Sequence, residues 1–146
     1  MPKPSMVGRI AGTLLLALLS ADCAFGPPPS CGEDIGGTAD AATFDQFFSS
    51  MALVSQTTGQ PGQESDQGLQ FIQGDPLALQ VDAKADVTLR ACVQPTGGQR
   101  EISFDEIRTL AQGQGTLEIG TPDPGIYVIR VIVDTTLVRN FPFQVK

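Results

Sequence analysis

Cysteine, histidine and closely spaced carboxylates carry most protein chemistry, and this chain of 146 residues holds three cysteines and no histidine. Ser-His and Cys-His catalytic pairs and His-ligated metal sites are excluded at once. Cys23, Cys31 and Cys92 have no CxxC spacing. Glu64 and Asp66 are close enough to be read as oxygen ligands. Ca²⁺ takes six to eight oxygens, however, and no spaced acidic loop of the EF-hand kind surrounds them. Asp105 and Glu106 are adjacent, so on a strand they point to opposite faces and act as solvated surface. No glycine-rich phosphate loop follows a strand and opens a helix. The residues therefore describe a non-catalytic chain without metal or cofactor.

Charge narrows the partners. The chain carries 9 Lys and Arg against 16 Asp and Glu. Removing a leader that contains Lys3, Arg9 and Asp22 leaves seven against fifteen, a net charge of −8. Nucleic acid is not expected as a partner, because binding it requires neutralising phosphates.

These residues sit on a simple order of segments. Lys3 and Arg9 precede an apolar block over 10–21, the layout of an export signal ending near residue 22. The block is too short to span a bilayer, which takes about 20 apolar residues. Residues 23–40 follow as a tether, with Pro27-Pro28-Pro29 extended and Gly36-Gly37 flexible, and neither can build a core. An odd cysteine count in an exported chain implies that one cysteine does something other than pair internally, and Cys23, at the end of the apolar block, is the candidate.

The domain is expected over 41–146. Phe44, Phe47, Phe48 and Met51 have helical spacing, and Thr43 with Gln46 has that of a capping box, predicting a short helix over 41–50 that docks on the domain. A first strand then starts at Met51. Residues 57–68 contain no large apolar side chain and read as a long exposed loop. Leu77, Leu79 and Val81 alternate with Ala78, Gln80 and Asp82, and Val87, Leu89, Ala91 and Val93 alternate with Thr88, Arg90, Cys92 and Gln94. Both patterns mark half-buried strands, the second placing Cys92 on the outward, polar face. Ile102-Ser103-Phe104 opens a strand that 105–108 either continues through a bulge or interrupts with a helical turn. Leu117 and Ile119 belong to another strand. The run 125–134 is rich in β-branched residues and becomes the central strand. Leu137, Phe141, Phe143 and Val145 supply a last strand, with Pro142 marking an edge at its position.

Strands with turns every 8–12 residues predict an all-β antiparallel sandwich of about seven strands. Ahead of the central strand, Asp123-Pro124-Gly125-Ile126-Tyr127 is a D-x-G-x-Y pattern. It resembles the tyrosine corner at which immunoglobulin-like domains enter their F strand. In that likeness the Tyr127 hydroxyl bonds to backbone a few residues upstream, and Gly125 is needed for the turn. Ile129 stands where antibody domains carry cysteine, and the chain has no tryptophan.

Leu19-Ser20-Ala21-Asp22-Cys23 resembles a bacterial lipobox, in which the cysteine receives diacylglycerol, although Asp22 stands where that pattern has Gly, Ala or Ser. The likeness is to small bacterial surface lipoproteins. It implies lipidation of Cys23, a mature chain beginning there and a place on the extracytoplasmic side of a membrane. The alternative is a cut after Ala21 and a secreted domain. With Cys23 lipidated, two thiols remain, and a Cys31–Cys92 disulfide is expected over two unpaired thiols in an oxidising compartment. It would close a loop of about 60 residues, worth roughly 4 kcal/mol. Two roles follow from the layout: a surface binding or adhesion module for protein or glycan, or an accessory or structural subunit of a larger membrane complex.

Overall fold

The computed structural model describes residues 39–96 and 102–146. The leader, Cys23, Cys31 and most of the tether lie outside the described residues. Within them the order is α1 (Ala41–Phe47), β1 (Phe48–Ser55), β2 (Gln63–Ser65), β3 (Gly68–Phe71), β4 (Leu77–Ala83), β5 (Val87–Pro95), β6 (Phe104–Leu110), β7 (Gly113–Gly120), β8 (Gly125–Val133) and β9 (Thr136–Val145). The strands form a three-stranded sheet, β1-β4-β7, and a six-stranded sheet, β2-β3-β9-β8-β5-β6. The fold is an all-β sandwich with one short helix. The described residues hold nine strands where turn spacing predicts about seven.

Period-2 alternation builds the core. Leu77, Leu79 and Val81 of β4 face Val87, Leu89, Ala91 and Val93 of β5, Tyr127, Ile129, Val131 and Val133 of β8, and Phe141, Phe143 and Val145 of β9 in one buried cluster. Each fully buried Leu, Ile or Phe among them contributes about 1.5–3 kcal/mol. The run expected at the centre is β8, an interior strand paired antiparallel with β5 on one side and β9 on the other.

The helix ends earlier than its aromatic spacing predicts. Phe48 is already extended, with φ −129° and ψ 142°, and belongs to β1. A register shift between Phe48 and Ser50 puts Phe48 and Met51, three residues apart, on the same core-facing side. A bulged strand thereby imitates helical spacing. The cap also lies upstream: Asp40, not Thr43, accepts from the amides of Ala42 and Thr43 at 2.9 and 3.2 Å. Phe44 and Phe47 pack against the core cluster, as a docked helix requires.

Residues 57–68 are less of a loop than their polarity predicts. Pro61 bridges to Val54, and β2 pairs with β3. Gln144 of β9 donates through Nε2 to Ser65 Oγ at 2.8 Å and Gln70 Oε1 at 3.2 Å, tying β2, β3 and β9 together. The β3–β9 pairing is parallel and begins at Phe143, so Pro142 stands just before the point where β9 gains its second neighbour.

Nor do 105–108 bulge or turn. They lie in the regular ladder of β6 with β5, from Val87 opposite Leu110 to Val93 opposite Phe104. Glu106 and Arg108, two apart on one side of the strand, neutralise each other in an ion pair.

Candidate binding surface

On the three-stranded sheet, the inward residues Leu53, Leu79 and Leu117 are fully buried. Strand geometry sends their neighbours to the opposite face. Cross-strand register then assembles two rows there, Ser50–Asp82–Gln114 and Ala52–Gln80–Thr116. The rows line a shallow depression of about 220 Å³. Hydroxyls, side-chain amides and one carboxylate converge on it from three adjacent strands. Such a set can exchange hydrogen bonds with a polyhydroxylated or peptide ligand, but it offers no nucleophile activated by a base.

A second hollow, of about 260 Å³, opens at the end of the sandwich among Ser103, Phe104, Ile119, Thr121, Pro122 and Tyr127. Its wall contains Asp123 and Tyr127 of the D-x-G-x-Y pattern. The Tyr127 hydroxyl donates to the Asp123 carbonyl at 2.8 Å, four residues upstream, and its ring stacks on Phe143 with centroids 5.2 Å apart. Burial first, and the neighbouring Asp123 charge second, raise the tyrosine pKa above its ordinary 10.0. A Cβ on Gly125 would lie 3.1 Å from the Tyr127 ring and hydroxyl, which accounts for glycine at that position. Asp123, Gly125 and Tyr127 therefore form one structural unit.

No protein-family model matches the chain, and no curated protein matches it. Among solved structures it is similar to a β-glucosidase from Listeria innocua, with a TM-score of 0.38 and 15% identity over 66% of this chain. The match spans 16% of the enzyme's length, and a likeness at that level carries no argument about fold or chemistry.

Of the carboxylates singled out in the sequence, Glu64 is exposed on β2 and Asp66 sits in the turn that follows. Among the described residues no group of three or more Cys, Asp or Glu side chains converges as a metal site would require. Asp105 and Glu106 do point apart. Asp105 receives a two-pronged contact from Arg90, at 2.8 and 2.6 Å, and this hydrogen bonding holds its carboxyl below the ordinary 3.8.

Cys92 corrects an expectation. It faces away from the core, as its phase predicts, yet it is 0% exposed instead of standing on a wet surface. It is also disulfide-bonded. The other two cysteines, Cys23 and Cys31, lie outside the described residues. The polar depression on β1, β4 and β7 escaped the sequence reading. Only the register of three strands distant in the chain brings Ser50, Asp82 and Gln114 into one row.

Proposed function

We propose that this chain is an exported, non-catalytic protein of the cell envelope, anchored through lipid on Cys23 to the extracytoplasmic side of a bacterial membrane and serving as a binding or adhesion module. The observation that carries the reading is the succession of a basic and apolar leader, Cys23, a Pro/Gly tether and one β domain that offers an open polar face. In that chemistry the Cys23 thiol displaces the phosphate headgroup of a membrane phospholipid to form a thioether to its diacylglyceryl carbon, the headgroup leaving with the proton, and water then cleaves the Asp22–Cys23 peptide bond. Two or three acyl chains then hold the protein firmly, at about 0.8 kcal/mol for each buried CH₂, where one chain would hold it only marginally.

The domain itself is of immunoglobulin-like build in this reading. With β1, β4 and β7 as strands A, B and E, and β5, β8 and β9 as C, F and G, the sheet division agrees with that architecture. The Tyr127 to Asp123 hydrogen bond at the entry to β8 supports the same assignment. Hydroxyls and amides on the small sheet favour a glycan or a polar protein segment as ligand over an apolar one.

Fractionation of cells making the wild type or Cys23→Ser, grown with labelled fatty acid, tests the proposal. The expected result is label on the wild type and its recovery with membranes, with Cys23→Ser unlabelled and displaced from the wild-type fraction. Equal recovery of both in the soluble fraction, without label, would mean a domain secreted without an anchor.

A further inference from the structure

The large sheet ends at β6, and among the described residues no strand pairs with the far side of β6. Register names the backbone groups that this leaves open. Each residue of an antiparallel strand turns its N–H and C=O to one neighbour, and the next residue turns them to the other. On β5 the even-numbered residues bond to β8, because the Thr96 amide donates to the Ile126 carbonyl at 2.8 Å in step with Gln94 opposite Val128. Val93, Ala91 and Leu89 therefore bond to β6, through Phe104, Glu106 and Arg108. Asp105, Ile107 and Thr109 are left with their amides and carbonyls directed away from the sheet.

The side chains keep this edge clear. Arg90 holds Asp105 back toward β5 at 2.8 and 2.6 Å, and the Thr88 and Thr109 hydroxyls share a hydrogen bond of 2.8 Å. Between them Ile107 is 58% exposed. Proline and bulges are the devices by which edge strands avoid pairing with other chains, and β6 has neither. It does carry charge. Glu106 and Arg108, however, are opposite in sign and stand one on each side of Ile107.

We propose that β6 pairs antiparallel with β6 of a second copy of this chain, about a two-fold axis through Ile107. Charge fixes the register. With Ile107 opposite the partner's Ile107, each Glu106 faces the partner's Arg108, and the two Ile107 side chains cover one another. Asp105 and Thr109 exchange backbone bonds with the partner's Thr109 and the partner's Asp105. A slip of two residues in either direction, the smallest that keeps the outward amides in phase, sets Glu106 against the partner's Glu106 or Arg108 against the partner's Arg108. Like charges directly opposite destabilise a strand pair and unlike charges stabilise it, so Glu-Ile-Arg admits one register and opposes its neighbours.

The contact is isologous. A dyad through an antiparallel pair stands perpendicular to the sheet, so the two large sheets join into one and both small sheets lie on the same side of it. Under the binding reading above, the two depressions on β1, β4 and β7 open in the same direction, and a repeating ligand gains from engaging both. The pairing itself depends neither on that reading nor on the lipid.

Full-length protein, isolated as cells process it and kept in density-matched detergent, is followed by sedimentation equilibrium over a range of concentrations. Wild type is expected to show a monomer–dimer equilibrium. Glu106→Arg and Arg108→Glu each bring like charges together at both crossings and are expected to weaken the dimer about tenfold. An equimolar mixture of the two folded variants is expected to regain wild-type association, because every charge then meets its opposite. Amide exchange on wild type reads the same edge without a substitution, with Ile107 and Thr109 becoming protected as concentration rises. A wild type that stays monomeric, a mixture that associates no better than either variant, or a dimer that leaves those two amides unprotected would overturn the pairing. A different polypeptide seated along β6 would overturn the second copy as its occupant. Export and anchoring are decided separately, by the fate of Cys23.

Discussion

Tyr127 is the single tyrosine in a chain without tryptophan, so its ultraviolet absorbance titrates one group undisturbed. Its pKa is raised in the fold above the ordinary 10.0, chiefly by burial. A group whose folded pKa exceeds its unfolded value stabilises the fold fully below the unfolded pKa and loses that contribution as pH rises through the folded one. Tyrosinate absorbance is therefore expected to appear above pH 10 in native protein and near 10 in urea, with coincident midpoints ruling out the buried hydroxyl. Tyr127→Phe removes the bond to Asp123 and is expected to cost about 1 kcal/mol in urea melts, since Asp123 is exposed and water can replace part of the contact. A loss within 0.5 kcal/mol would reduce Tyr127 to an ordinary apolar residue. Asp105 runs the opposite way. Hydrogen bonding from Arg90 lowers its pKa, so its contribution is present above the ordinary 3.8 and is lost as pH falls below it. Asp105→Asn is expected to flatten that acid limb in melts at successive pH values, and an unchanged limb would show the pair to be inert. Asp123, Gly125 and Tyr127 were legible because Asp, Gly and Tyr at that spacing make a local unit. The burial of Cys92 was not, because alternation reports which way a side chain points and not what lies over it.

At the scale of elements, Gly68 joins the 57–68 segment to the rest of the large sheet. It has φ +93°, and a Cβ there would lie 2.0 Å from the Pro142 carbonyl oxygen. Gly68→Ala is expected to cost about 2–4 kcal/mol, combining left-handed strain with overpacking. Amide exchange should show β3 separating from β9 while β8 stays protected, and a melt within 0.5 kcal/mol of wild type would contradict the close approach. How each strand was read follows from its position. Strands β4 and β5 announce themselves because one face is in the core and the other is more polar, and β8 because its run is rich in β-branched residues. The outermost strand β2 buries nothing large, so Gln63, Glu64 and Ser65 give no periodic signal. On β6 the inner side carries Glu106 and Arg108 as an ion pair, which masks the alternation that Phe104 and Leu110 begin. In β1 a bulge gives Phe48 and Met51 helical spacing, and the helix was drawn too long.

For the whole molecule, the small sheet presents an open polar face, while on the large sheet Cys92, Ile132 and Leu137 are buried. The proposal adds to this domain a lipid on Cys23. Asp22 stands where the lipobox has a small residue, which makes the covalent state of Cys23 the point on which the account turns. The direct measurement is the intact mass of the mature protein extracted from membranes, with fragmentation from its N-terminus. The account predicts a chain whose first residue is Cys23, heavier than the bare sequence by diacylglycerol on the sulfur, and absent as such from Cys23→Ser. A mature chain of unmodified mass beginning at Asp22 would contradict it.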